Sequence, residues 1–439
     1  MKERRNLTGV ALASILTLLT LPPFLAREPD NRLDPPDVSP RVRTPLIRVE
    51  EVSELSANPA TFALPLPPAV GDAWIHLGPG PLLNGQVENI SPDGEVIGAI
   101  HTVAAHPTDP DILLLGAVNG GIWRTTNASD PSPDWTPLID FSPTLSIGAL
   151  EFDPTDSTHQ TLVGGVGLFS SFGRVGGART GLLRTTNGGD NWTQITGGGI
   201  LNGKNISGVA ARGNTIVISV NIADSFTFGN VGIFRSTNGG ATFTQISVGD
   251  GTATGLPGGV ANDLAGDPAS SGTLYTSIIF APIVGGLNGI YRSTDTGATW
   301  TKVSNAAMDL LILNNATNNL EMSAGASGQV YAGIINDGQL AGLFRSGNGG
   351  ATWVEMDLPV TNEDGVDIGL QPSVKPGGQG SIHFSILADP GDANIVYLGG
   401  DRQPRAFGDT GGFPNSIGAN DFSGRLFRCD ASQAAGSQC

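Results

Sequence analysis

Beyond residue 98 the hydrophobic positions of this chain fall in short runs separated by polar turns, not in the long stripes of amphipathic helices. Ile100–Ala105 and Ile112–Gly116 are two such runs, joined by His106-Pro107-Thr108-Asp109-Pro110. The same arrangement returns at Asp153-Pro154-Thr155-Asp156, at Asp267-Pro268 and at Asp389-Pro390-Gly391-Asp392. A second kind of run ends in an aromatic or aliphatic residue and an arginine: Leu182-Leu183-Arg184, Ile233-Phe234-Arg235, Ile290-Tyr291-Arg292 and Leu343-Phe344-Arg345. Short apolar runs bounded by Pro, Asp and Gly predict β-strands and tight turns. The 63 glycines argue further against helices.

Each aromatic–arginine run leads into one motif. The copies read Thr185-x-Asn187-x-Gly189-x-x-Trp192, Ser236-x-Asn238-x-Gly240-x-x-Phe243, Ser293-x-Asp295-x-Gly297-x-x-Trp300 and Ser346-x-Asn348-x-Gly350-x-x-Trp353. A looser copy begins at Thr125-x-Asn127 and reaches Trp135, and another starts at Leu426-Phe427-Arg428. The arginines 124, 184, 235, 292, 345 and 428 thus mark a repeat of roughly 50–60 residues, with one longer final interval. Ser, Thr, Asn and Asp side chains fix a turn by bonding nearby backbone N–H groups, and glycine supplies positive φ. The aromatic then folds back as an apolar plug. Three of these boxes carry Asn where Asp295 stands, an exchange that a turn tolerates and a general acid or metal ligand does not. The boxes are therefore read as structural.

These boxes resemble the Asp-box, or BNR, repeat of sialidases, xyloglucan-degrading glycosidases, sortilin-type receptors and a photosystem assembly factor. The resemblance covers about residues 72–430. It implies an all-β fold, a β-propeller of four-stranded antiparallel blades, and it implies little about activity, because unrelated functions share the repeat. About six units follow, near 98–140, 146–196, 205–247, 258–303, 308–358 and 379–439. Trp74-Ile75-His76-Leu77 looks like the closing strand of a blade, and the last unit stops after its third strand. Two readings stand: a ring closed by those two ends, or a piece of a longer propeller.

Ahead of the propeller, Lys2, Arg4 and Arg5 precede an apolar run to Ala26, the pattern of a signal peptide, with an uncleaved anchor as the alternative. Residues 27–71 are rich in proline and charge and read as a linker or pro-segment. Residues 72–439 form the repeat domain. A net charge of −17 disfavours nucleic acid and suits a secreted, extracytoplasmic monomer. Cys429 and Cys439 are the two cysteines and could pair in an oxidising compartment. No Cys/His spacing suggests a metal, and no cofactor motif is present. His106 reads as a turn residue.

The sequence supplies no catalytic assignment. Sialidases carry a Phe/Tyr-Arg-Ile-Pro arginine motif, which is missing, and Tyr275, Tyr291, Tyr331 and Tyr397 all lie in strand patterns. Xyloglucan-degrading enzymes place an acidic residue just before the first Gly-Gly, where this chain has Ala117-Val118-Asn119-Gly120-Gly121. The expectation is thus a binding module for glycan or protein; the alternatives are a glycoside hydrolase whose carboxylate pair is unrecognised or lies in a missing C-terminal part, and an assembly factor for a membrane-protein complex. Any ligand is expected on the face opposite the boxes, where loops carry Phe169, Phe172, Arg174, Asp224, Phe226, Asp337, Asp401, Arg402, Arg405 and Phe407.

Overall fold

A computed structural model describes residues 99–170, 174–222, 229–281, 286–363, 366–370, 380–402 and 423–439. The proposed leader, the linker and the Trp74–Leu77 strand lie outside these residues, as do Phe172, Asp224, Phe226, Arg405 and Phe407.

The first sheet contains β1 (Ile100–Ala105), β2 (Leu113–Ala117), β3 (Gly121–Thr125) and β4 (Thr136–Pro137). The second contains β5 (Ile147–Phe152), β6 (Leu162–Val166), β7 (Leu182–Thr185) and β8 (Thr193–Ile195). Next come β9 (Asn205–Arg212), β10 (Thr215–Asn221), β11 (Gly232–Ser236) and β12 (Thr244–Gln245). The fourth sheet is β13 (Leu264–Asp267), β14 (Ser270–Ile278), β15 (Gly289–Ser293) and β16 (Thr301–Lys302). A short helix α1 (Ala306–Leu311) leads to β17 (Thr317–Ala324), β18 (Val330–Asn336), β19 (Gln339–Ser346) and β20 (Val354–Met356). A hairpin of β21 (Val360–Glu363) and β22 (Val366–Gly369) and a helical turn α2 (Gly380–His383) precede β23 (Ser385–Ala388), β24 (Ile395–Arg402) and β25 (Ser423–Asp430).

Each of these blade sheets is antiparallel and ordered as the chain runs: five have four strands, and the last has three among the described residues. First strands from all six blades line one central cavity, so the fold is a six-bladed β-propeller. The core is divided between blades rather than within them. One apolar cluster joins Val163 and Leu182 to Ile216 and Phe234; another joins Val217 and Ile233 to Leu274 and Trp300. Tyr331 and Leu343 likewise pack with Val396 and Leu398. A blade therefore hides its faces only against its neighbours, as the repeat period implies.

The boxes show how this is built. Thr185 Oγ1 donates to Asn187 Oδ1 at 2.8 Å and accepts from Gly189 N at 3.1 Å. Asn187 Oδ1 also accepts from Asn191 N at 3.0 Å. The other boxes repeat these bonds: Gly240 N donates to Ser236 Oγ, Gly297 N to Ser293 Oγ and Gly350 N to Ser346 Oγ. Gly189 and its counterparts take φ of 103°, 91°, 76° and 86°, the region that favours glycine. The aromatic plugs lean on the preceding blade: Trp353 Nε1 donates to Val303 O at 2.8 Å, and Phe243 packs against Ile195.

The periodic arginines have a matching role. Arg124 donates to Gly188 O and Asp190 of the second blade, Arg235 to Thr296 O of the fourth, and Arg345 to Asn394 of the sixth. Each strap ties a third strand to a turn of the next blade. His106 is also a turn residue, its Nδ1 accepting from Asp109 N at 3.1 Å.

Two local features differ from the sequence expectation. Helix α1 is too short for a periodic pattern and is held by its cap, Asn305 Oδ1 accepting from Met308 N. The segment around Asp337 is a tight hairpin turn, not an irregular loop. Asn336 pairs with Gln339, and Asp337 and Gly338 take φ of 50° and 78°. The chain between the fifth and sixth repeat units also forms a strand pair, β21 with β22.

Candidate functional site

Antiparallel order fixes which loops share a face. The starts of the first and third strands of a blade lie with the ends of its second and fourth. The boxes and Pro/Asp turns occupy the opposite face. The central cavity, about 540 Å3, is lined by the first strands near His101, Leu150, Ser207, Asn262 and Glu321, and by Ile382. It is also lined by Val118, Phe169, Ser170 and Asn221, which stand at or beyond the ends of second strands. It therefore lies toward the face opposite the boxes.

The walls carry three carboxyl groups that sequence reading did not single out: Glu151, Asp263 and Glu321. Glu151 is neutralised from behind. It accepts from Ala211 N at 2.8 Å and pairs with the buried guanidinium of Arg212 at 3.0 Å. Burial pushes the Glu151 carboxyl up, and Arg212 pulls against it. Asp263 accepts from Leu264 N at 2.7 Å and from Met322 N of the next blade at 2.7 Å. Burial nevertheless raises its pKa to about 6. Glu321 accepts from Asn319 Nδ2 at 3.0 Å, and burial and then the charge of Asp263 push it well above the ordinary carboxylate range. One carboxyl of this pair holds a proton more readily than free acids do. Glu321 is the holder, because two backbone N–H groups favour the ionised form of Asp263.

At the cavity mouth His101 stacks on Phe169, with ring centroids 3.9 Å apart. Burial, and the charge of nearby His383, lower the pKa of His101 to about 4, so it is neutral at pH 7. Asn119, the residue before the first Gly-Gly, accepts from Ser146 Oγ at 2.6 Å and donates to Val175 O. It is a loop-bracing amide in this structure.

The loop candidates divide. Phe169 lines the cavity but is buried by stacking, so it is not the exposed platform expected of it. Arg174 donates to Ile222 O and is half-buried, a tether between neighbouring loops. Asp337 is exposed at its tight turn. Asp401 and Arg402 lie in β24, paired with Gly424 and Ser423. One exposed aromatic went unremarked: Phe141, fully exposed in the connector after β4 and so on the same face as the cavity mouth. Cys429 and Cys439 are disulfide-bonded. Among the described residues no group of three potential ligands is placed to hold a metal, and no helix is long and apolar enough to cross a membrane.

The fold and the cavity together define a six-bladed propeller with a polar central site. No protein-family profile matches the chain. A xyloglucanase of Paenibacillus sp is 31% identical over 178 residues, which is 40% of this chain and 15% of that protein. A xyloglucanase of Hypocrea jecorina (strain QM6a) is 29% identical over 168 residues, 38% of this chain and 17% of that protein. The chain thus matches less than a fifth of the length of either relative. Among solved structures, the GH74 enzyme of Niastella koreensis covers 77% of this chain and 46% of its own, with 20% identity and a TM-score of 0.48.

Proposed function

We propose that the chain is a carbohydrate-active propeller of the glycoside hydrolase type that takes a xyloglucan-like glycan at the cavity mouth opposite the boxes. The observation that carries this reading is the 31% identity to a xyloglucanase over 178 residues. It favours the hydrolase alternative over a general binding module or an assembly factor. The cavity supports it with carboxyl groups of contrasting protonation, the division of labour that glycoside chemistry uses. Phe141 and the mouth loops supply apolar area for sugar rings. The box repeat supports an Asp-box propeller. The leader at 1–26, the linker at 27–71, secretion and a monomeric state complete the proposal.

A second reading has its own observation. Asn119 stands where the resemblance expects an acidic residue, which favours glycan binding without hydrolysis. One experiment separates the two. The purified chain is incubated with xyloglucan, reducing ends are measured, and retardation in a xyloglucan-containing native gel is followed in parallel. New reducing ends support hydrolysis, retardation alone supports the binding reading, and the absence of both overturns a glycan function.

A further inference from the structure

The carboxyl groups and amides on the inner strands are mostly committed to holding the ring together. Glu151 clasps Ala211 N, Asp263 clasps Met322 N, and Ser323 Oγ accepts from Ala388 N of the last blade. Each links one first strand to the next. Two groups are left out of this system. Glu321 accepts from Asn319 at Oε1, and its carboxyl lines the open cavity. Asn262 lines the same cavity, is only 7% exposed, and its Nδ2 has no partner. A buried amide donor left unpaired loses its bonds to water without replacement, so such a group calls for an explanation.

Asn262 is adjacent in sequence to Asp263, which touches Glu321's strand through Met322 N. An unpaired buried donor and an acid pair thus line one cavity of about 540 Å3. That volume falls within the ~300–1,000 Å3 usual for small-ligand sites. An anion is disfavoured by the carboxyl groups. A chelated metal is disfavoured because no ligand triad is placed for one among the described residues. A sugar hydroxyl can accept from the Asn262 amide, and another can accept from the protonated Glu321 carboxyl or donate to ionised Asp263, which matches the groups in the wall. Apolar wall from Leu150, Val209, Leu264 and Met322 suits the C–H face of a ring.

We infer that Asn262, Asp263 and Glu321 form a subsite in the propeller channel for one neutral sugar unit, bound through its hydroxyls. This deepens the glycan reading above and rests on it. The titratable groups facing the site are His101, Glu151, Asp263 and His383, with Arg212 behind Glu151. Sugar binding strips water from the acid pair, which is easier while Glu321 holds its proton. Affinity therefore falls as pH rises through the titration of Glu321, while Glu321→Gln keeps the amide contacts and removes that dependence.

The test is isothermal titration of the full chain with glucose, xylose, galactose and cellobiose between pH 4 and 8, alongside gel retardation by polymeric xyloglucan. At pH 5 at least one of these sugars binds the wild type. Asn262→Ala and Glu321→Ala weaken that binding by about tenfold or more. Glu321→Gln binds with a flat pH profile. Xyloglucan retardation with small-sugar binding unaffected by Asn262→Ala and Glu321→Ala, or with no small sugar bound, overturns the subsite and leaves the glycan reading standing. No binding of polymer or small sugar overturns both. Infrared carboxyl absorption of the unliganded chain gives a check independent of any ligand: a protonated band lost in Glu321→Gln is expected, and its absence at pH 5 in the wild type contradicts the assignment.

Discussion

Asp295 on the box face and Glu321 in the channel are both acidic residues in strand-and-turn surroundings, yet their hydrogen bonding is opposite. Asp295 is saturated: Oδ1 accepts from Ser293 Oγ, Ala298 N and Thr299 N, and Oδ2 from Thr299 Oγ1. The bond set recurs in the sibling boxes, where Asn348 Oδ1 accepts from Thr352 N and Asn348 Nδ2 donates to Thr352 Oγ1. Glu321 accepts at Oε1 from Asn319 and lines the cavity beside Asn262, whose buried Nδ2 has no partner. Polar groups that repeat around a propeller maintain the repeat; those that do not repeat and remain unpaired are where a ligand belongs.

The largest expected effect breaks the repeated side of this contrast. Trp300 is 4% exposed, and Trp300→Ala should destabilise by about 3–5 kcal/mol in denaturant titration. A loss under 1 kcal/mol would show that the plug is dispensable.

Next comes the inner clasp. Arg212→Ala leaves Glu151 beside a low-dielectric wall without its counter-charge, and a loss of roughly 1–3 kcal/mol at pH 7 follows, discounted because Glu151 retains some exposure. Melting should show the variant recovering stability as pH falls and Glu151 takes a proton. An unchanged deficit at pH 4 would mean that lost packing, not the unpaired charge, is responsible.

The acid pair sharpens the comparison through pH. Asp263 titrates at about 6 in the fold against 3.8 ordinarily, and Glu321 is raised as well. Groups raised in this way bind protons more tightly when folded. Their contribution to stability is fully present below the ordinary carboxylate value and is lost as pH rises through 6 and beyond. Glu321→Gln should therefore raise stability at pH 7 by about 1–2 kcal/mol and flatten the fall between pH 4 and 7. Equal pH slopes for wild type and variant would show that the pair is not coupled to folding. On the box face, Asp295→Asn should change stability by less than about 0.5 kcal/mol. A larger loss would give Asp295 a role beyond its turn.

The sequence made the repeated side legible and concealed the other. Boxes, arginines and Pro/Asp turns recur along the chain in the same order, so the strands they bound were readable from the sequence, down to β1 at Ile100–Ala105. The straps made by Arg124, Arg235 and Arg345 were visible only as a period, because their partners lie one blade away. Glu151 and Glu321 each read as an isolated acid between apolar residues and Asp263 as part of an Asn-Asp turn, and only the ring brings them to one cavity. The signal was the occurrence of apolar–acid–apolar on first strands, as in Leu320-Glu321-Met322. Phe169 misled because its partner, His101, lies more than sixty residues earlier.

The most direct test of the contrast is a crystal structure of the chain soaked with a xyloglucan oligosaccharide. The account predicts sugar density at the cavity mouth, with hydroxyls at Asn262 Nδ2 and at the Glu321 carboxyl and no density at the boxes. Sugar bound against Asp295 and Thr299, with the channel holding none, would contradict it.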